Sequence, residues 1–357
     1  MNQYSGLKLQ ALAIGSLPHN NIEKAMNVVK RDFSQIPFFP QLKNINKNED
    51  MISQVLEGLP SFLPSMLKNL SINPESKEFS QDLKSFLADY EQIISKNNTE
   101  ILENYKISKE FSSSFEEFEK IIKETKPLFT KGQIVGPFTL ATTLKDNNCI
   151  AVINNETVKN VVIKLLSLKA LWIIKRIKKA NPETIPIIFL DEPSISKLEH
   201  TTYTKISKSG VSQMLKGVSD IIKANGGISA IHCCGKCDWS IPINAEIEIL
   251  NPDAFTFAEN FSIYAPMIKK HLEQGRKIAW GLVPTDNEKI KTVTLKILIK
   301  KFEQAVKYLT NKGIDEKLII DNSLITSSCG AGSLSINDSE RAMDLVAELS
   351  KELRARL

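Results

Sequence analysis

The stretch IPIIFLDEP (185–193), with SGVSQMLKGVSDIIKANG (209–226) and GISAIHCC (227–234) after it, alternates a short apolar run, an amphipathic segment and a second apolar run. Short apolar runs bounded by turn-forming residues predict buried strands, and apolar residues three and four positions apart predict a helix. A strand, a helix and another strand in succession are typical of a parallel β-sheet. The stretch therefore predicts an α/β fold made of βα units.

The same alternation extends over the whole chain of 357 residues. Segments with helical periodicity also occupy 158–180 and 294–313. Repeated βα units of this number predict a closed (β/α)8 barrel, a TIM barrel, in which residues 1–357 form a single catalytic domain. The eight apolar runs that we expect to be its strands are 9–16, 35–41, 132–138, 185–193, 227–234, 253–259, 277–284 and 322–330.

One segment, residues 42–130, is too long for a single crossover between the second and third runs. Its pattern is helical over 49–70, 80–98 and 113–129, and prolines interrupt it. We expect a helical insertion subdomain that lies over the mouth of the barrel.

Composition excludes several classes of protein. Lys and Arg number 46 against 41 Asp and Glu, with no basic block, so nothing points to nucleic acid as a partner. No charged stretch precedes a long apolar run at the N-terminus, and no apolar run reaches membrane-spanning length. The five cysteines do not resemble a secreted disulfide scaffold. We therefore expect a cytoplasmic protein that does not interact with membranes.

The segment AIHCCGKCDW (230–239) holds three of those cysteines and one of only four histidines. Cys234 and Cys237 form a C-x-x-C pair, but the residues that follow suit poorly the helix start that a thioredoxin-like redox site requires. A structural zinc site needs four closed ligands, and the chain has a single C-x-x-C pair. A catalytic metal needs fewer ligands, and His232 and Cys234, together with Cys329 at another strand end, fit that need. The alternation of side chains along a strand places Cys233 on the opposite face, where we expect it to pack.

A set of short segments, taken in order, resembles a known family. AIGSLPH, GPFTLA, FLDEPS, IHCCG, WGLVPT and SSCGAGS cover nearly the whole chain and resemble the catalytic barrel of cobalamin-independent methionine synthase. The resemblance is closer to the short "core" relatives of that enzyme, within the superfamily that includes uroporphyrinogen decarboxylase. It implies a zinc-dependent methyltransferase that forms methionine from homocysteine, with a corrinoid protein as the methyl donor and partner.

The resemblance also assigns roles to residues. It implies that His232, Cys234 and Cys329 are zinc ligands and form the catalytic centre, with Glu259 as a fourth ligand on the sixth run. Homocysteine would be held by Ser16 and Asp191. Gln41 stands where the family has a second carboxylate that contacts the substrate ammonium group.

Other interpretations stay open at this stage. The thiol substrate is homocysteine or another small thiol such as coenzyme M. A uroporphyrinogen decarboxylase-like activity would need basic side chains, and Lys236 is the nearest to a strand end. A metal-storage or corrinoid-maturation protein would use the same ligands without catalysis. His19 is a proton relay or a turn residue, and Trp239 and Trp280 either flank a donor pocket or close the top of the barrel.

Overall fold

The sheet is all-parallel and has seven strands in the computed structural model, which describes residues 4, 6–198 and 206–356. Hydrogen bonds join the strands in the order β1-β7-β6-β5-β4-β3-β2. The strands are β1 (Ala11–Leu12), β2 (Phe129–Val135), β3 (Ile185–Asp191), β4 (Ile228–Cys233), β5 (Ile249–Pro252), β6 (Lys277–Val283) and β7 (Ser323–Ser327).

Helices connect the strands, and several begin at a side-chain cap such as Asn155 of α7 or Ser335 of α15. Short 3₁₀ turns span Lys47–Glu49, Ser53–Val55, Glu103–Tyr105, Val152–Asn154 and Pro193–Lys197. The α-helices are α1 (Ile22–Asp32), α2 (Met66–Asn69), α3 (Lys77–Lys96), α4 (Thr99–Leu102), α5 (Phe115–Thr125), α6 (Pro137–Thr143), α7 (Glu156–Ala180), α8 (Lys208–Ala224), α9 (Ser240–Asn244), α10 (Ala254–Ser262), α11 (Ala265–Glu273), α12 (Lys289–Thr292), α13 (Leu295–Thr310), α14 (Glu316–Asp321) and α15 (Ile336–Ala355).

Both faces of the sheet are buried, which explains why its strands are continuous apolar runs in the sequence. Along β3, Ile187 and Phe189 belong to an inner cluster that takes side chains from most of the strands. Ile188 and Leu190 point the other way and belong to the larger core that the helices cover. The sheet therefore separates an inner apolar cluster from a helical outer layer, as predicted for an α/β protein.

The second predicted strand, residues 35–41, does not form a regular strand. It makes two isolated parallel bridges, one between Phe38 and Lys131 of β2 and one between Gln41 and Ser16, which follows β1. Because β1 and β2 are the two edge strands of the sheet, this segment contacts both edges.

The sixth predicted strand, 253–259, is wrong: these residues lie in α10, and the strand is β5, immediately before it. Asp253 explains the change of structure, because its side chain accepts a hydrogen bond from the Thr256 N–H at 3.0 Å and caps the helix. Residues Ala254–Ser262 therefore form α10, with a kink at Phe257, where the backbone leaves the helical region.

The segment 42–130 is only partly helical. Residues 49–70, expected to be helical, contain the end of one 3₁₀ turn, a second 3₁₀ turn and the four-residue α2, because Gly58 has a φ of +84° and two prolines follow it. The longer helices lie beside α7: Arg176 of α7 pairs with Glu119 of α5 at 2.6 Å, and the rings of Phe115 and Trp172 lie 4.9 Å apart. The whole segment was expected to lie over the mouth of the barrel. Its first residues line the cavity described next.

Candidate metal centre

A cavity of about 410 Å³ opens at the carboxyl ends of the strands. It brings together residues from both ends of the chain and from the middle of the sheet. Six of the seven residues that the sequence assigned to metal or substrate lie in its wall, and Glu259 does not. The lining residues are Ile14, Ser16, Leu17, Gln41, Lys43, Glu49, Asp50, Met51, Asp191, Pro193, His232, Cys234, Cys329, Gly330, Gly332 and Ser333.

Three of these residues form a cluster that could hold a metal ion. One ligand atom each from His232, Cys234 and Cys329 lies within 4.8 Å of the others. His232 and Cys234 are two positions apart at the end of β4 and face the cavity, whereas Cys233 between them is fully buried in the helical core. Cys329 follows β7 by two residues. Two strand ends separated by 95 residues of sequence therefore supply one site.

The imidazole of His232 is oriented by Asn251 at the end of β5. The Asn251 amide donates to the Ala279 carbonyl at 2.5 Å and to Thr326 Oγ1 at 2.9 Å, so its Oδ1 is the atom that faces the ring, 2.8 Å from His232 Nδ1. Nδ1 must therefore carry the proton in the neutral ring. The lone pair is then on Nε2, which is buried and has no hydrogen-bond partner among the described residues. A metal ligand with an oriented second nitrogen has this arrangement.

The two thiols share a proton unequally. A hydrogen bond from Cys329, together with the nearby imidazole of His232, lowers the pKa of Cys234 to about 4. The same contact with Cys234, and burial, raise the pKa of Cys329. Burial alone would lower the pKa of His232, but the negative charges of Cys234 and Asp191 outweigh burial and raise it. The three side chains thus favour a positive charge between them, and one imidazole with two sulfurs is a ligand set that could hold a metal ion.

Glu259, expected to be the fourth ligand, does not belong to this site. It is exposed on α10 and lines a separate cleft with Tyr308 and Lys312. The misplaced sixth strand explains the error, because it assigned the strand end to α10 instead of β5. Within the described ranges the cluster has three candidate ligands, and a catalytic metal with three protein ligands keeps one position for a substrate.

The adjacent carboxylates of Asp191 and Glu192 have different environments. Glu192 accepts hydrogen bonds from the Phe138 and Thr139 N–H groups at 2.8 and 2.9 Å, at the start of α6. A β-carbon at Gly136 would lie 2.2 Å from its carboxyl group, which explains the glycine before Pro137. Glu192 therefore caps the start of α6.

Asp191 instead faces the cavity. Its side chain is 6% exposed, and Oδ1 is buried without a hydrogen-bond partner in the described structure. Burial raises the pKa of Asp191, while the positive charges of His232 and Lys131 oppose that rise. A buried carboxylate with an unused acceptor is suited to a cationic group of a ligand.

Ser16 lies against the loop that carries Cys329. A β-carbon on Gly330 would lie 2.1 Å from Ser16 Oγ, and one on Gly332 would lie 3.1 Å from Ser16 Cβ. The Gly332 N–H points toward Ser16 Oγ at 3.4 Å. The glycines of SCGAG therefore allow the serine hydroxyl and backbone N–H groups to meet at one end of the cavity, where an anionic group would be stabilised.

Several other residues singled out in the sequence do not line the cavity. The buried His19 bonds through Nε2 to Glu340 at 3.1 Å. Trp239 and Trp280 pack edge-on against Phe261, with ring centres 5.2 and 5.7 Å away. Cys237 is also buried. The bond to Glu340 places the His19 ring in a contact between α15 and the turn after β1. The ring contacts of the two tryptophans favour a role in core packing.

Sequence reasoning missed two contributors. Glu49, fully buried, lines the cavity from the start of the 42–130 segment, and its carboxylate accepts from the Leu42 and Ser113 N–H groups at 3.0 and 2.9 Å. Asn251 orients the candidate ligand His232. The signal for Asn251 was a polar residue inside the run IEILNP, and for Glu49 an acidic residue that follows the second apolar run within ten positions.

No family model matches the chain, and no curated protein is significantly similar to it. Among the described residues, no helix is long and apolar enough to span a bilayer.

Proposed function

We propose that the protein is a zinc-dependent methyltransferase that transfers a methyl group to the thiol of homocysteine to form methionine. The observation that carries this proposal is the buried Nε2 of His232, which has no hydrogen-bond partner among the described residues and lies with Cys234 and Cys329 in the wall of the cavity. Asn251 holds the other ring nitrogen. A neutral imidazole and two sulfurs are a suitable ligand set for zinc. When bound there, zinc would keep the substrate sulfur deprotonated and nucleophilic.

The remaining lining residues suit an amino-acid substrate. Asp191 Oδ1, which has no partner among the described residues, would accept a hydrogen bond from the substrate ammonium group, and the ion pair would favour ionised Asp191. Ser16 Oγ, with the Gly332 N–H beside it, would donate to the substrate carboxylate. Gln41 lies on the same wall and offers an uncharged amide. A thiol, an ammonium group and a carboxylate would thus each meet a matching partner.

In the transfer, a bond forms between the substrate sulfur and the methyl carbon as the bond from the methyl to its donor breaks. We propose a methylated corrinoid carried by a partner protein as the donor, in a cytoplasmic setting. The described lining offers Met51, Leu17 and Pro193 as an apolar wall near the ligands, which would accommodate an incoming methyl group.

The proposal includes the closed (β/α)8 barrel, with residues 35–41 as its second strand. The bridges from Phe38 to β2 and from Gln41 to Ser16 support closure, because they connect the two edges of the seven-stranded sheet. In a barrel of this type, catalytic side chains come from the carboxyl ends of several strands. Asp191, His232 and Cys329 have that placement.

A decarboxylase of the uroporphyrinogen type is less well supported. Such a substrate carries several carboxylates, and the described lining of the cavity has a single basic residue, the exposed Lys43. Coenzyme M would need a partner for its sulfonate. Because it has no ammonium group, it would leave the carboxylate of Asp191 without a cationic partner.

The test supplies the zinc-loaded protein with methylcobalamin and either L-homocysteine or coenzyme M, and measures the thioether products by mass spectrometry. We expect methionine with L-homocysteine, little methylation of coenzyme M, and no product with the matched variant Cys329→Ser. Preferential methylation of coenzyme M would replace the substrate assignment. Equal product from wild type and Cys329→Ser would overturn the mechanism.

A further inference from the structure

A buried polar pair on β2 lies below the cavity and has no role in the function proposed above. Lys131 and Gln133 are both fully buried, although a lysine is rarely found without access to water. The Lys131 ammonium donates to Gln133 Oε1 at 2.9 Å and to the Ile14 carbonyl at 2.7 Å. Gln133 Nε2 donates to the Phe39 carbonyl at 2.9 Å. One pair of side chains thus bonds to two other chain segments.

These two segments carry cavity residues and have few backbone hydrogen bonds of their own. β1 has only two residues, and residues 35–41 make isolated bridges. Backbone carbonyls buried at such a junction need donors, because an unpaired carbonyl away from water is costly. The side chains of β2 supply those donors in place of a regular strand ladder.

The contacts continue directly into the cavity wall. Gly15 has a φ of +139°, and a β-carbon there would lie 2.9 Å from Gln133 Cδ, so the Gly15–Ser16 turn rests on this side chain. The Gln41 N–H donates to the Gly15 carbonyl at 3.0 Å, and the Leu17 N–H donates to the Gln41 carbonyl at 3.1 Å. A displacement of Gln133 would therefore move Ser16 and Gln41 relative to each other.

The charge of the lysine also has a counterpart. Its ammonium lies 4.7 Å from the centre of the Phe189 ring, and its electrostatic attraction to Asp191 opposes the effect of burial on both groups. In its protonated form, Lys131 thus compensates the negative charge of the carboxylate that faces the cavity.

We propose that Lys131 and Gln133 are positioning residues that hold the Gly15–Ser16 turn against the Gln41 segment and so set the shape of the amino-acid end of the cavity. Neither residue touches the substrate. The effect of the two residues on substrate binding rests on the proposed function. Their effect on the shape of the cavity wall does not depend on it.

The experiment compares the variants Lys131→Met and Gln133→Met with Lys169→Met by hydrogen–deuterium exchange. Lys169 is a matched control, because it is fully buried, burial lowers its pKa to about 7 as it does for Lys131, and it donates to the Lys106 carbonyl. Neither Lys169 nor Lys106 lines the cavity. We expect the amides of Leu17 and Gln41 to exchange about tenfold faster or more in the β2 variants, and at the wild-type rate in Lys169→Met.

The second readout is the KM for L-homocysteine, with zinc content measured on the same samples. The positioning role predicts a KM raised about tenfold in Lys131→Met, with kcat and zinc content close to wild type. Unchanged exchange at Leu17 and Gln41 in a folded β2 variant would overturn the proposal, as would the same change in Lys169→Met. If Lys131→Met does not fold, Gln133→Met makes the same comparison. Failure of the wild type to bind L-homocysteine would reject the proposed function while leaving the exchange comparison decisive.

Discussion

Two pairs of neighbouring cysteines lie on opposite sides of the end of β4. Cys234 and Cys329 face the cavity and are partly exposed, whereas Cys233 and Cys237 are buried in the helical core. In each pair a hydrogen bond between the sulfurs lowers the pKa of one thiol and raises that of the other. Thiol contacts alone therefore do not distinguish a metal site from packing.

The difference lies in what accompanies the sulfurs. Beside Cys234 and Cys329, the imidazole of His232 lines the cavity, and its Nε2 has no hydrogen-bond partner in the part of the chain that the structure describes. Within the described ranges, Cys233 and Cys237 are not part of any three-residue group with metal-ligand spacing. The comparison also shows that the two cysteines of the C-x-x-C pair have different environments, since Cys234 lines the cavity and Cys237 is buried in the helical core.

The largest expected effect is the difference in zinc binding between a variant that removes a sulfur from the Cys234–Cys329 pair and one that removes a sulfur from the Cys233–Cys237 pair. We expect Cys329→Ser to weaken zinc binding more than about 100-fold, because it removes a zinc ligand. Loss of a residue that only orients a ligand, such as Asn251, should have a smaller effect. The matched variant Cys237→Ser should keep about one zinc per chain and lose about 1–2 kcal/mol of unfolding free energy. Elemental analysis and denaturant unfolding measure the two quantities. Equal zinc loss in both variants would remove the distinction between the pairs.

The next effect concerns the substrate rather than the metal. Asp191→Asn replaces a carboxylate that faces the cavity with an uncharged amide, so we expect the KM for L-homocysteine to rise about 30- to 100-fold with zinc content unchanged. The control is Glu192→Gln, which alters the neighbouring carboxylate that caps α6. We expect this variant to lower the melting temperature and to leave KM close to the wild-type value. A larger KM effect from Glu192→Gln would contradict the separate roles.

Asn251→Leu tests the orientation of the imidazole. Loss of the acceptor for Nδ1 should leave His232 free to rotate and to change tautomer, and we expect zinc affinity to fall about 10-fold or more. Competition with a chelator measures the affinity, and ¹⁵N chemical shifts of the ring report the tautomer. An unchanged tautomer with unchanged affinity would mean that Asn251 only packs there.

A smaller and pH-dependent difference is expected for thiol reactivity in the metal-free protein. Because the pKa of Cys234 lies at about 4, its thiolate is already formed at pH 6, and its alkylation by iodoacetamide should change less than about twofold from pH 6 to pH 8. N-Acetylcysteine in the same solution serves as the reference thiol, and its rate should rise more than about tenfold over that range. Mass spectrometry follows both thiols. A steep rise at Cys234 would reject the low pKa.

The smallest effect should come from Glu259. Since this residue is exposed on α10 and lines another cleft, Glu259→Gln should leave zinc content and methyl transfer at wild-type levels. A loss of zinc in this variant would restore it as a ligand.

How far the sequence predicted this site depended on the residue types. His232, Cys234 and Cys329 were identifiable because histidine and cysteine are rare in the chain and do not usually form turns. Glu259 was wrong because DAFTFAE has the apolar content of a strand, and only the cap at Asp253 makes it a helix. Glu49 reaches the cavity through the path of the 42–130 segment, which local periodicity does not encode.

The fold likewise divides into elements that the local sequence predicts and elements that depend on tertiary contacts. Long apolar runs such as those of β3 and β6 were predicted because a strand buried on both faces has a continuous apolar sequence. Residues 35–41 were expected as a strand, but prolines interrupt a regular ladder, and the Gln133 side chain donates to the Phe39 carbonyl at 2.9 Å.

The most direct measurement is the number of sulfur ligands on zinc, determined by X-ray absorption at the zinc edge with and without L-homocysteine. The account predicts two sulfurs and one imidazole from the protein alone, and three sulfurs after L-homocysteine is added. An unchanged count of two sulfurs would contradict substrate binding at the metal. A site with no sulfur ligands would contradict the assignment of Cys234 and Cys329.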